Sequence, residues 1–240
     1  MSGHSKWHNI QQRKGKQDAL RSNLFTKYAK LITVSAKTGG ADAATNFSLR
    51  LAVEKAKATG MPKDNIEKAI KRGTGELAGA AQVEEILYEA FGPGGVAIII
   101  KALTDNKNRT VSDLKYILSQ HGGSMGGAGS VMWMFSQMGI ITVSASGFSA
   151  HKDENEMALI EAGAEDITED GEIEIKTKVE NFQKVLSKLK ELGIEPLESG
   201  LQLVAKDRIK VDEGIRAKLE GLFGDIEEHD DVENYWTNAE

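Results

Sequence analysis

The chain has 240 residues, 40% hydrophobic and 28% charged, with no cysteine and a net charge of −6. That composition supports packed cores in two or three domains and excludes general disorder, disulfides, thiolate metal sites and a cysteine nucleophile. The charge is uneven: residues 1–72 hold 15 Lys+Arg against 5 Asp+Glu, net +10, while the other 168 hold 15 against 31, net −16. A basic head on an acidic body predicts that the head meets a polyanion, and the overall pI of about 5.5 hides that signal.

The first residues, Met1-Ser-Gly-His4, begin no apolar leader, and no stretch approaches a membrane span. Together with the absent thiol this predicts a soluble, cytoplasmic protein. Leu20, Leu24, Tyr28, Leu31 and Ser35 recur every three or four residues, with Arg21, Lys27, Lys30 and Lys37 off the stripe. That spacing predicts a helix stopping at Gly39-Gly40. A second helix is expected from about Ala44 to Thr59, burying Leu49, Ala52, Val53 and Ala56. A third opens at Pro62, buries Ile66, Ala69 and Ile70, and stops at Gly73.

Residues 78–82 read as a linker. Strands are expected at Val83–Phe91 and Val96–Leu103 around the Gly92-Pro-Gly-Gly95 turn, the second a continuous apolar run typical of a central strand. A helix follows at Thr110–Gln120 and a strand at Val131–Phe135. The next set is strand Ile140–Val143, helix Glu154–Ala162, strands Asp166–Thr168 and Ile173–Thr177, helix Val179–Leu192 and strand Leu201–Val204. Helix Glu213–Phe223 and strand Val232–Trp236 close the chain and are expected to complete the sheet begun at Val83. The fold class is therefore α+β: a three-helix domain, then two α/β sandwiches of the ferredoxin-like kind, the third inserted in the second. The expected boundaries are residues 1–77, residues 78–137 plus 206–240, and residues 138–205.

In the head, Lys6, Arg13, Lys14 and Lys16 flank Trp7 ahead of the first helix. Cations around one aromatic suit phosphates and a stacked base, and so single-stranded or irregular RNA more than a duplex groove. Lys63, Glu67 and Lys71 form an i,i+4 stripe that either meets phosphates or only supports its own helix. In Thr104-Asp-Asn-Lys-Asn-Arg-Thr110, the Thr110 hydroxyl is a candidate N-cap. Lys107 and Arg109 would then stand beside a helix N-terminus able to hold a phosphate, the alternative being a capped turn with exposed cations. His121–Ser130 is glycine-rich but runs from helix to strand and has no Lys, so a loop permitting close backbone approach is expected, not a phosphate loop.

His4 and His8 lack a third ligand, and Glu227-Glu-His-Asp-Asp231 reads as a solvated turn without calcium-loop spacing. Nothing converges on a reaction, so no catalysis, metal, cofactor or small-molecule substrate is expected.

The order of the pieces resembles the YebC/PmpR family, which includes the mitochondrial translational activator of cytochrome oxidase subunit I. The marks are Ser2-Gly-His-Ser-Lys-Trp7, Gly39-Gly40, Leu49-Arg50, Met61-Pro-Lys-Asp-Asn-Ile66, Thr104–Thr110, Gly129-Ser-Val131 and Asp231-Val232. The resemblance implies a helical N-terminal domain followed by two α/β domains, one inserted in the other. It also implies no catalysis, with members described either as DNA-binding transcriptional regulators or as translation factors easing difficult stretches such as consecutive prolines. Lys6, Trp7, Arg50, Asn65 and Arg109 fall in shared motifs. Gln17–Phe25 is less basic than the family pattern, and Gly40-Ala-Asp-Ala lacks a proline after the aspartate. The absence of a transit segment before Ser2 suggests a bacterial member.

The reading is thus a non-enzymatic nucleic-acid-binding regulator, first a ribosomal-RNA-binding translational activator, alternatively a regulator bound to promoter DNA. The expected contacts are Lys6, Trp7, Arg13, Lys14, Lys16, Arg21, Lys27, Lys30, Arg50, Lys63, Lys71, Lys107 and Arg109. No membrane partner is expected, and a monomer is favoured.

Overall fold

The computed structural model describes residues 17–77 and 82–240, with side chains from residue 22 onward except Ala150. In chain order the elements begin with α1 (Gln17–Gly39), α2 (Phe47–Ala58), α3 (Lys63–Gly73), β1 (Glu84–Phe91), β2 (Ala97–Thr104), α4 (Lys107–Gln120) and β3 (Ser124–Met125). Next come β4 (Phe135–Ser144), α5 (Lys152–Ala162), β5 (Ala164–Asp170), β6 (Glu172–Lys178), α6 (Phe182–Glu191), β7 (Pro196–Ala205), α7 (Glu213–Glu228) and β8 (Val232–Thr237). Residues 133–208 form one compact unit, and the remaining described residues form another. No helix among the described residues is long and apolar enough to cross a membrane.

The three head helices close on Ile32, Ala36, Leu49, Ala52, Met61 and Ile66. The second helix starts at Phe47, three residues later than its apolar spacing suggests, because Asp42 and Asn46 capture the backbone first. Asp42 accepts the Ala44 N–H at 2.9 Å, turning residues 42–45 away from helix. Asn46 Oδ1 accepts the Leu49 N–H at 3.0 Å, while Nδ2 donates to Ser35 O and Gly40 O, both at 2.8 Å. One buried amide thereby caps α2 and ties it to the end of α1. At the close of α3, a Cβ on Gly73 would lie 2.3 Å from Thr33 O and 2.8 Å from Ala36 Cβ, so only glycine allows this helix crossing.

The first sheet is antiparallel in the order β3-β1-β2-β8. Its centre is the apolar run of β2, where Ile98, Ile99 and Ile100 are all fully buried. Ile98, Ile100 and Tyr235 pack under Leu114 and Leu118 of α4 and Leu219, Leu222 and Phe223 of α7. The Phe223 and Tyr235 rings stack with centroids 4.7 Å apart. Two features of this sheet escaped the sequence. Ser124-Met125 forms a short edge strand on β1, and residues 129–132 do not enter a strand at all. The cause is Glu89, whose carboxylate accepts N–H bonds from Gly129 (2.6 Å), Val131 (2.7 Å) and Met132 (2.8 Å). Burial works against its charge, but these donors prevail and hold its pKa below the usual carboxylate value. The glycine-rich loop thus wraps an internal carboxylate, with the Gly126 N–H on Glu89 O at 2.8 Å supplying the close backbone approach.

In the unit of residues 133–208, the strand expected at 140–143 runs from Phe135 to Ser144 as β4, and of the strand expected at 131–135 only Phe135 belongs to it, Met132–Met134 forming a single 3-10 turn. The order β5-β6-β4-β7 with two crossover helices is the ferredoxin-like βαββαβ arrangement. Ile141, Val143, Ile173 and Ile175 face Leu159 of α5 and Val185 and Leu189 of α6. The first sheet opens with a hairpin instead and reaches its helix-on-sheet layering by a different connectivity.

Candidate nucleic-acid interface

The structure sorts the cations of the head into two groups. Along α1, Asn23, Lys27 and Lys30 lie on one face and meet residues 227–231 at the end of α7. Asn23 Nδ2 donates to Glu228 O at 3.4 Å, Lys27 Nζ to Glu227 O, and Lys30 Nζ to Asp230 O at 2.9 Å. The last carbonyls of a helix lack internal partners and attract cations, so Lys27 completes α7. Burial pushes the Lys27 pKa down, against the pull of Glu227 and Asp230. Lys30 is only 9% exposed and is paired with Asp231. Both lysines were expected on the polyanion. Lys27 faces the end of α7 and Lys30 the turn before β8, and at Lys30 that burial withdraws the ammonium from any external phosphate.

Asp231 is the centre of this join. It is 2% exposed, contrary to the solvated turn expected for the acidic run. Besides Lys30, it accepts from Thr110 Oγ1 at 2.7 Å, from Arg109 Nη2 at 3.0 and 3.1 Å, and from Thr104 Oγ1 at 3.4 Å. Burial alone would raise its pKa, but the bonds from Lys30, Thr110 and Arg109 outweigh burial and hold it at about 2. Arg109 continues the chain to Asp105 at 3.2 Å, and Asp105 reaches Arg72 of α3 at 3.1 Å. Alternating charges from α1, α3, α4 and the 229–231 turn therefore clamp the head to the first sheet.

The strand exit differs from the expected phosphate platform. Its helix begins at Lys107, because Asn106 Oδ1 accepts the Arg109 N–H at 3.1 Å. Thr110, proposed as the cap, is fully buried and serves Asp231 instead. Lys107 is engaged by Glu84 at 2.7 Å, and Arg109 by Asp231 and Asp105. Each cation already has a carboxylate of its own.

The second group faces outward. Arg50, Lys63 and Lys71 are exposed on α2 and α3, with Lys63 only loosely paired to Glu67 at 3.6 Å. The Arg50 guanidinium sits 5.1 Å from the ring centroid of Phe47, which is 57% exposed. Phe47 was missed in the sequence, although an aromatic three residues before an Arg on one helix was its signal. An exposed ring under a guanidinium offers both a stacking face and a charge. Lys6, Trp7, Arg13, Lys14 and Lys16 lie outside the described residues, as does the side chain of Arg21, whose backbone is in α1.

These features define a class: an α+β protein whose helical head is held to an antiparallel sheet by ion pairs centred on the buried Asp231, and which exposes Arg50, Lys63 and Lys71 on α2 and α3. Comparison with known proteins makes the assignment specific. Residues 5–76 match the family model described as the TACO1/YebC protein N-terminal domain, and residues 83–239 match the TACO1/YebC second and third domain. The chain belongs to the TACO1/YebC family. A probable transcriptional regulatory protein of Thermoanaerobacter pseudethanolicus is 48% identical, over 100% of this chain and 97% of that one. One of the same description from Fusobacterium nucleatum is 47% identical, over 99% and 95%. The crystal structure of a conserved hypothetical protein of Aquifex aeolicus matches with a TM-score of 0.80 at 37% identity, covering 96% of this chain and 95% of that one.

Proposed function

We propose that this protein is a non-enzymatic regulator of gene expression whose helical head binds RNA of the ribosome and assists elongation through difficult stretches. The names of its relatives support regulation of gene expression. The observation that carries the choice of RNA is the sorting of cations in the head. Among its described side chains, the long helix α1 spends Lys27 on the end of α7 and Lys30 on Asp231, and that face offers no row of base-reading side chains. What remains outside is a lysine-rich surface with Arg50 over an exposed ring, chemistry for phosphates and unpaired bases. A second reading, a DNA-binding transcriptional regulator, is favoured by the description of the relatives as probable transcriptional regulatory proteins. Crosslinking in living cells, with sequencing of recovered RNA and DNA, separates the two. Crosslinks concentrated at a few ribosomal RNA positions support the first, and discrete promoter DNA without ribosomal signal supports the second.

A further inference from the structure

Among the described residues, β3, β5, β7 and β8 are the edge strands of the two sheets, and only β7 is left open to further pairing. β3 is two residues long, and β8 is mostly buried, including Val232, Tyr235, Trp236 and Thr237. β5 carries Glu165, Asp166, Glu169 and Asp170 in seven residues and is bulged between Ala164 and Asp166. Shortness, cover, charges and bulges are the usual means of blunting an edge. β7 is ten residues long, carries one charge, Glu198, and has no buried residue; its one irregularity lies at the Pro196 end. Its backbone bonds to β4 alone. The Lys206 N–H donates to Met134 O at 2.9 Å, continuing that ladder. Antiparallel bonding alternates, so Ser199, Leu201, Leu203 and Ala205 turn their N–H and C=O groups to the open edge. Leu201 and Leu203 stand opposite Gly139 and Gln137, on the face that carries α6, and Leu201 is 44% exposed.

We infer that β7 pairs antiparallel with β7 of a second copy of this chain, about a two-fold axis at Gln202, in place of the monomer expected from the sequence. In this register Leu201 exchanges backbone bonds with Leu203 of the second copy, and the reverse, so the leucines of both copies close one apolar cluster on the helix face. On the other face Glu198 lies across from Lys206 of the second copy and not from its own counterpart, so pairing brings no like charges together. That holds whatever contacts the two side chains keep within their own chain, such as Lys206 Nζ on Trp133 O at 2.8 Å. A strongly acidic or basic peptide finds little to match on a strand with a single charge. A contact confined to one strand belongs with the small, reversible interfaces, so micromolar association is expected.

The test uses the full-length protein, which has no cysteine of its own. Residue 202 meets its own counterpart in a pair without backbone bonds, with Cα atoms about 4.5 Å apart and within disulfide reach. Under mild oxidation Gln202→Cys is expected to form a covalent dimer on non-reducing gels. Leu197→Cys is more exposed but lies about 33 Å along the strand from its own counterpart, and is expected to stay uncrosslinked. In sedimentation velocity the wild type is expected to dimerise reversibly below about 100 µM. Leu201→Lys, which puts a cation on the edge without disturbing the core, is expected to raise the dissociation constant about tenfold and keep the wild-type melting temperature. A wild type that stays monomeric at that concentration overturns the inference and leaves the edge to a strand of another protein. Crosslinking of Gln202→Cys no faster than of Leu197→Cys also overturns it, because any dimer would then use another surface.

Discussion

Removing the Asp231 carboxylate isolates the clamp between head and sheet. In Asp231→Ala, Lys30 stays in a site where it is 9% exposed and loses its carboxylate partner, while Thr110, fully buried, loses an acceptor at 2.7 Å. Breaking a buried pair by deleting one partner costs about 3–5 kcal/mol, and Arg109 recovers part of this because it retains Asp105 and is half exposed. The expected loss is about 3–4 kcal/mol, or about 10 °C in the melting temperature of the unit holding the head and first sheet. The pH dependence is specific to this group. Its folded pKa of about 2 lies below the ordinary 3.8, so its stabilisation is complete above pH 4 and is lost as pH falls toward 2. That shift corresponds to about 2.5 kcal/mol at neutral pH, which the variant forfeits. Calorimetry of wild type, Asp231→Ala, Lys30→Ala and the double variant is the assay. The double variant is expected to lose little more than either single one, since both delete the same interaction. A loss below about 1 kcal/mol in Asp231→Ala, or strictly additive single losses, refutes the clamp.

Three further outcomes follow from local geometry. Asn46→Ala removes a helix cap and the donors to the Ser35 and Gly40 carbonyls, so the head should lose about 2 kcal/mol, read by hydrogen exchange confined to α1 and α2. Glu89→Ala frees the N–H groups of Gly129, Val131 and Met132, and faster exchange at those amides with little change in α1 is expected. Gly73→Ala places a methyl group 2.3 Å from Thr33 O, and a cost of about 1–3 kcal/mol in urea unfolding checks that close crossing.

Much of the architecture was legible because it depends on local periodicity. The Leu24–Tyr28–Leu31 spacing gave α1, and the isoleucine run of β2 marked a strand buried on both faces. Helix starts were less legible where a side chain outcompetes the pattern, as Asn46 does ahead of α2 and Asn106 ahead of α4. The two-residue strand Ser124-Met125 is too short for any alternation and forms because β1 offers it an edge. In the interface, charge counting located the basic head but not the direction each cation points. Lys30 and Asp231 are 201 residues apart, and nothing nearby distinguishes Asp231 from the other acids of residues 227–231. Its signals were position, an aspartate immediately before the apolar start of the last strand, and its place in the Asp231-Val232 mark of the family resemblance. Phe47 was likewise lost among helix residues because its exposure is set by packing, not by spacing.

The account's central claim is that the outward cations of the head hold nucleic acid while the inward ones hold the fold. It is tested most directly by the salt dependence of RNA affinity for wild type, for Arg50→Ala/Lys63→Ala/Lys71→Ala, and for Lys30→Met. Each lost phosphate contact on a single strand lowers the slope of log affinity against log salt by about 0.7, so the triple variant should lose about 2. Lys30→Met should keep the wild-type slope and lose thermal stability instead. A triple variant with an unchanged slope, or a Lys30 variant that flattens it while melting normally, would contradict the division.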